Sequence, residues 1–163
     1  MKIFFVQFFC VFLPPLLIEP VDDANLMAAA EVHGASWRKS HTEICSAEFV
    51  AAHTTQRQAN YLQTELNRGK RLFLLTDGIP MGVVSVFEDC IENLYVHPDH
   101  WGKGYGTALL QFAESQCKTP RLWVLNTNKQ ARRFYENRGY RVTGREKVLS
   151  ETLRELEMGK GAE

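Results

Sequence analysis

Residues 94–110 read Leu94-Tyr95-Val96-His97-Pro98-Asp99-His100-Trp101-Gly102-Lys103-Gly104-Tyr105-Gly106-Thr107-Ala108-Leu109-Leu110, and this stretch decides the fold. A strand-like run from Cys90 to His97 is ended by Pro98, three glycines follow at alternate positions, and a helix-forming run from Thr107 to Ala113 comes next. That order aims a helix N-terminus at whatever lies over the turn. Such a terminus carries unpaired N–H groups and about half a positive charge, so it stabilises phosphate wherever the backbone can come close. Gly102, Gly104 and Gly106 remove the Cβ atoms that would block a pyrophosphate, and Lys103 adds a cation. Without a ligand the same pattern is only a tight strand-to-helix turn.

Two other phosphate motifs are excluded by spacing. The dinucleotide fingerprint G-x-G-x-x-G/A needs Gly or Ala at Thr107 or at Leu109, and a G-x-x-x-x-G-K-[ST] loop occurs nowhere. A tighter G-x-G-x-G turn remains.

The neighbouring sequence places this turn after an antiparallel meander. Arg71 to Thr76 and Val83 to Phe87 are strand-like, with Asp77-Gly78 as a hairpin signal between them. Upstream, Leu17 to Pro20 reads as the first strand. Asp22-Asp23 can cap a helix with the stripe Leu26, Ala29, Ala30, His33 and Trp37. Ser46 and Thr54-Thr55 cap two more, the second running through Tyr61, Leu62 and Leu66 to Gly69. Downstream, Arg121 to Leu125 is a strand, Thr127-x-x-Gln130 is a capping box, and its helix ends before Gly139. Strands near Tyr140 to Thr143 and Leu153 to Met158 complete the pattern.

Composition narrows the function. The 163 residues are 45% hydrophobic and 23% charged, enough for one core, and Lys plus Arg equals Asp plus Glu at 19 each. With no global field, phosphate recognition is local and no nucleic-acid partner is expected. Cys10, Cys45, Cys90 and Cys117 form no CxxC pair, which argues against a metal site and a disulfide framework and points to reduced thiols in the cytoplasm. Residues 1–16 stand apart. Ile3 to Leu13 is nearly all apolar, shorter than the roughly 20 residues of a spanning helix, and no small-x-small cleavage site follows. It reads as an extension: an added or mis-started N-terminus, a membrane-associating tail through residues 1–17, or a signal. Residues 17–163 form the expected domain.

The run from Leu94 to Leu110 resembles motif A of the GCN5-related N-acetyltransferases (GNAT), whose core is Q/R-x-x-G-x-G/A. Asn128-x-x-Ala131-x-x-Phe134-Tyr135 followed by Gly139-Tyr140 is similar to motif B of the same family, in the family's order and spacing. One departure stands out, because Trp101 occupies the usual Gln or Arg position. The resemblance implies an α/β (α+β) fold: a mixed, mostly antiparallel sheet of about six or seven strands with a splayed parallel pair, flanked by about four helices.

It also implies acetyl-CoA as co-substrate and direct transfer of its acetyl group to an amine acceptor in a ternary complex, with no metal. Leu94, Tyr95 and Val96 would hold pantetheine and thioester, the Leu94 N–H polarising the carbonyl. Trp101, Gly102, Lys103, Gly104, Tyr105, Gly106 and Thr107 would bind the pyrophosphate. Tyr135 has the ordinary acidity to protonate a departing thiolate while staying protonated itself. Taken without its flanking pattern it reads as an aromatic core residue beside Phe134. Asn128 is either a helix cap or a cofactor contact. Glu92, two residues before Leu94 and expected on the same strand face, is the candidate base. His33 and Trp37 are candidates to line the acceptor pocket, against packed core residues. A non-catalytic acyl-CoA-binding domain is the alternative reading, and a homodimer is left open.

Overall fold

The computed structural model describes residues 16–42 and 45–161. The apolar extension lies almost wholly outside those residues. The chain order is β1 (Leu17–Pro20), α1 (Leu26–His41), α2 (Ala47–Ala51), α3 (Thr55–Asn67), β2 (Arg71–Thr76), β3 (Pro80–Phe87), β4 (Cys90–Val96), α4 (Tyr105–Ser115), β5 (Arg121–Leu125), α5 (Lys129–Glu136), β6 (Tyr140–Val148) and β7 (Arg154–Lys160). The strands form one sheet in the order β1-β2-β3-β4-β5-β7-β6, antiparallel except where β4 runs beside β5. This is the expected sheet, and the described residues form five helices where the resemblance implied about four, the short α2 being the one read from its Ser46 cap.

Local chemistry explains most boundaries. The Ser46 and Thr54 hydroxyls accept from Phe49 N and Arg57 N, as N-caps should. Two expected caps are corrected. The Asp22 carboxylate accepts from Ala24 N at 2.9 Å, and Asn25 stands at the N-cap of α1 without a side-chain capping bond, its Oδ1 accepting from Asp22 N instead. The α5 cap is Asn128, whose Oδ1 accepts from Ala131 N at 3.0 Å, so Thr127 does not open a capping box.

Both faces of β3 are covered, which is why it reads as a continuous apolar run. On one face Val84, Val86, Leu109, Leu110, Leu122 and Met158 form a core with α4. On the other, Leu72, Leu74 and Val83 pack against Ala29, Ala30 and Leu62 of α1 and α3. Gly82 lets α4 sit close, since a Cβ there would lie 2.6 Å from Leu109 Cδ1 and 3.0 Å from the Tyr95 carbonyl oxygen.

Two irregularities shape the sheet around β4. Its pairing with β5 covers only Cys90↔Arg121 and Ile91↔Leu122, so the strands part from Glu92 onward. Its pairing with β3 slips between Val83 and Ser85, where Asn93 takes φ +47° and an extra residue enters β4. A bulge of this kind unpairs backbone groups and swaps the faces of the residues beyond it.

Candidate active site

That bulge corrects one expectation. Glu92 lies opposite Ser85 and Tyr95 opposite Val83, so Glu92 and Tyr95 share the α1 side of the sheet. Leu94 and Val96 instead pack with the core on the α4 side. Glu92 and Leu94 therefore lie on opposite faces, because Asn93 interrupts the alternation on which the expectation rested.

The glycine turn has the expected form. Pro98–His100 makes one turn of 3-10 helix, after which Gly102 and Gly104 adopt φ +77° and +89° with open space where a Cβ would stand. Gly104 is the N-cap of α4. The first bonds to its carbonyl come from Thr107 N and Ala108 N. Among the described residues, the amides of Gly102 to Gly106 have no backbone acceptor. No acidic residue sits in the first turn of α4. Five unpaired amides at a positive helix end are the arrangement that favours an anion.

The side chains around the turn have particular tasks. Lys103 Nζ lies 3.2 Å from His100 Nδ1, and the Tyr105 hydroxyl donates to Asp77 Oδ2 at 2.7 Å. That hydrogen bond is the main reason the Tyr105 phenol is shifted upward. Thr107 Oγ1 accepts from Arg138 Nη2 at 2.5 Å, while the guanidinium lies 3.8 Å over the Phe134 ring. Arg138 escaped the sequence reading. Nothing in its spacing links residue 138 to the first turn of α4, yet it brings a second cation there.

Tyr135 projects from α5 beside Phe134 and Tyr140, with ring centroids at 5.2 and 5.8 Å. Burial raises its phenol well above the ordinary tyrosine value, the Tyr95 phenol adds to the shift, and no hydrogen bond contributes. The phenol stays protonated at neutral pH, and among the described residues its hydroxyl makes no hydrogen bond. Tyr95 is pushed up to about 12, chiefly by burial. Asn128 spends its Oδ1 on the α5 cap and keeps only its amide nitrogen for another contact.

On the α1 side a polar group gathers at the bulge. Asn93 Nδ2 donates to Ser85 Oγ at 3.1 Å and to the Tyr61 hydroxyl at 3.3 Å. Lys70 bridges Glu92 Oε2 and Glu65. The Glu65 carboxyl is buried, which works to raise its pKa, but Lys70 and Arg68 hold it below the usual range. His33 lies behind this group at 3% exposure, edge-on to Tyr95 at 4.8 Å and tilted against Tyr61 at 5.5 Å. Burial lowers its pKa; Asn93 and Gln58 oppose this weakly, yet neither ring nitrogen makes a hydrogen bond of normal geometry among the described residues. Trp37 is held between His41 and His53, stacked at 3.9 and 3.7 Å, so both ring faces are covered. The expected acceptor residues thus belong to two clusters, with His33 at the bulge and Trp37 in the stack joining α1 to the segment before α3.

Among the described residues, no group of three or more His, Cys, Asp or Glu side chains could hold a metal ion. No helix among them is long and apolar enough to cross a membrane.

A seven-stranded sheet that splays beside a glycine turn of unpaired amides defines the class, and comparison with known proteins agrees. The sequence model of the acetyltransferase (GNAT) family matches residues 30–140, and the chain belongs to that family. It is 34% identical over 109 residues to an uncharacterized N-acetyltransferase of Archaeoglobus fulgidus, covering 55% of this chain and 74% of that one. It is 33% identical over 69 residues to the peptidyl-lysine N-acetyltransferase YjaB of Escherichia coli, covering 42% of this chain and 47% of YjaB. The crystal structure of the PaiA N-acetyltransferase from Thermoplasma acidophilum, in complex with coenzyme A, superposes with a TM-score of 0.66 at 21% identity, over 88% of this chain and 98% of that one.

Proposed function

We propose that the protein is an N-acetyltransferase that binds acetyl-CoA along the opening between β4 and β5 and passes the acetyl group directly to an amine. The observation that carries this reading is an alignment: the strands part at Glu92, and β4 continues from there toward the unpaired amides of the glycine turn. A linear molecule with an anionic end fits that path. The residues present suit such a cofactor, with amides 102–106, Lys103 and Arg138 at the pyrophosphate and the β4 backbone from Leu94 to Val96 along the pantetheine arm. Bound acetyl-CoA supplies the activated acyl group. The domain spans residues 17–163 in this reading.

The chain's own groups then divide the proton work. The amine attacks the thioester carbon, the C–N bond forms, the C–S bond breaks, Tyr135 gives its proton to the departing thiolate, and the extra proton on the acylated nitrogen passes through water to restore the phenol. Unpaired backbone at the bulge near Leu94 faces the oxygen on which negative charge grows. The acceptor approaches on the α1 side, where Glu92 keeps Oε1 free while Lys70 takes Oε2. Glu92 receives the ammonium proton through water. His33 shapes this pocket from behind Tyr61, and Trp37 stiffens the helix that bounds it. YjaB is named a peptidyl-lysine acetyltransferase, so lysine-bearing peptides belong in an acceptor panel with small amines and polyamines. The test is amine-dependent release of thiol from acetyl-CoA. Binding of acetyl-CoA without thiol release across the panel would favour a non-catalytic acyl-CoA-binding domain.

A further inference from the structure

We propose that Trp101 is a positioning residue that latches the glycine turn to the end of β4 and so sets the affinity for the anionic end of the cofactor; this rests on the cofactor reading above. The indole Nε1 donates to the Val96 carbonyl oxygen at 2.7 Å. The Ser36 hydroxyl of α1 donates to the same oxygen at 2.5 Å. A carbonyl oxygen has two lone pairs, and both are used.

The direction of that carbonyl gives the latch its consequence. His97 N donates to the Met81 carbonyl across the β3 ladder at 2.8 Å. Backbone groups of successive strand residues point to opposite edges, so those of Val96 point away from β3, into the opening beyond which β5 has parted. A ligand lying along this edge finds the Val96 N–H available and the carbonyl taken.

Trp101 is 43% exposed, so packing alone does not fix its ring. The hydrogen bond fixes it, one residue before Gly102 and three before Gly104, both with positive φ angles. A glycine loop loses much backbone freedom on ordering, and anchoring its first residue lowers what a ligand must supply. Trp101 thus does by pre-organisation what a side chain reaching the ligand would do by contact. Ser36 shares the acceptor atom but belongs to the helix carrying His33 and Trp37, so it serves as an internal control for the carbonyl.

The experiment compares wild type, Trp101→Phe, Trp101→Gln and Ser36→Ala. It measures coenzyme A affinity by titration calorimetry, kcat at saturating acetyl-CoA, and amide hydrogen exchange of residues 102–106 without ligand. Trp101→Phe keeps a ring and loses the donor. It is expected to weaken coenzyme A binding about three- to tenfold, the scale of one net hydrogen bond, with kcat unchanged and faster loop exchange. Trp101→Gln, which keeps a side-chain N–H donor, recovers most of the affinity, and Ser36→Ala leaves loop exchange near wild type. Wild-type affinity in Trp101→Phe overturns the proposal, as does a loss confined to kcat. If the wild type does not bind coenzyme A, the cofactor reading fails first, and loop exchange still decides the latch: unchanged exchange in Trp101→Phe overturns it.

Discussion

On the α4 side of β4 the site is made of backbone, whereas on the α1 side it is made of side chains gathered from distant parts of the chain. The first region needs a strand, three glycines and a helix N-terminus, all within residues 90–115, and its binding groups are amides. The second sets two networks side by side, ion pairs joining Glu65 and Glu92 through Lys70, and hydrogen bonds and a ring contact joining Asn93 to Ser85, Tyr61 and His33. Amides keep their chemistry when a side chain changes, so the first region suits a cofactor of fixed structure. Side chains drawn from α1, α3, β3 and β4 change independently, so the second suits an acceptor that differs between relatives.

The sharpest way to break this division is at Tyr135, the proposed proton donor to the departing thiolate. Tyr135→Phe keeps the ring packing and removes only the donor, so kcat should fall by about 10² to 10⁴ while acetyl-CoA affinity holds. The loss should shrink with acyl donors whose thiol is more acidic. Single-turnover rates check this free of product release. Unchanged single-turnover rates would make Tyr135 a packing residue.

A middle-sized effect is expected at Lys70. Glu65 is 3% exposed and is held by Lys70 and Arg68. Lys70→Met leaves that carboxylate with Arg68 alone, and denaturant unfolding should show a loss of about 1.5–3 kcal/mol. Acetyl-CoA affinity should not change, since the pair lies on the α1 side. Loss of cofactor binding in a folded Lys70→Met protein would dissolve the distinction between the two regions.

The smallest effect is a pH dependence at His33. Its folded-state pKa is lowered, chiefly by burial, so the unfolded chain binds the proton more readily. Stability contributed by the neutral imidazole is therefore present above about pH 6.5 and declines as pH falls toward the folded-state value. Thermal melts of wild type and His33→Gln between pH 8 and 5 check this as about a modest difference in slope. An equal slope in both proteins would mean that His33 takes up its proton without cost.

The same division explains what was legible beforehand. The glycine turn, the strand order around it and the Tyr135 motif are local patterns, in which each residue constrains its neighbours through backbone geometry. The Asn93 bulge carries no such signal: a non-glycine residue with positive φ looks like any asparagine in a strand, and one extra residue moved Glu92 to the opposite face from Leu94. Arg138 and Ser36 depend on contacts 31 and 60 residues apart in sequence. Thr127 against Asn128 as the α5 cap was a choice between adjacent residues of similar capping strength.

If the glycine turn holds the pyrophosphate of acetyl-CoA, as proposed, Gly104 lies where a carboxylate would exclude it. A Cβ at Gly104 would meet no atom within 4 Å, so the main obstacle to folding there is the strain of φ +89°. An aspartate there sets a carboxylate over the amides that the phosphates need. Titration calorimetry with acetyl-CoA should give binding to the wild type and none to a Gly104→Asp protein whose circular dichroism shows it folded. Equal affinity in the two proteins would contradict the account.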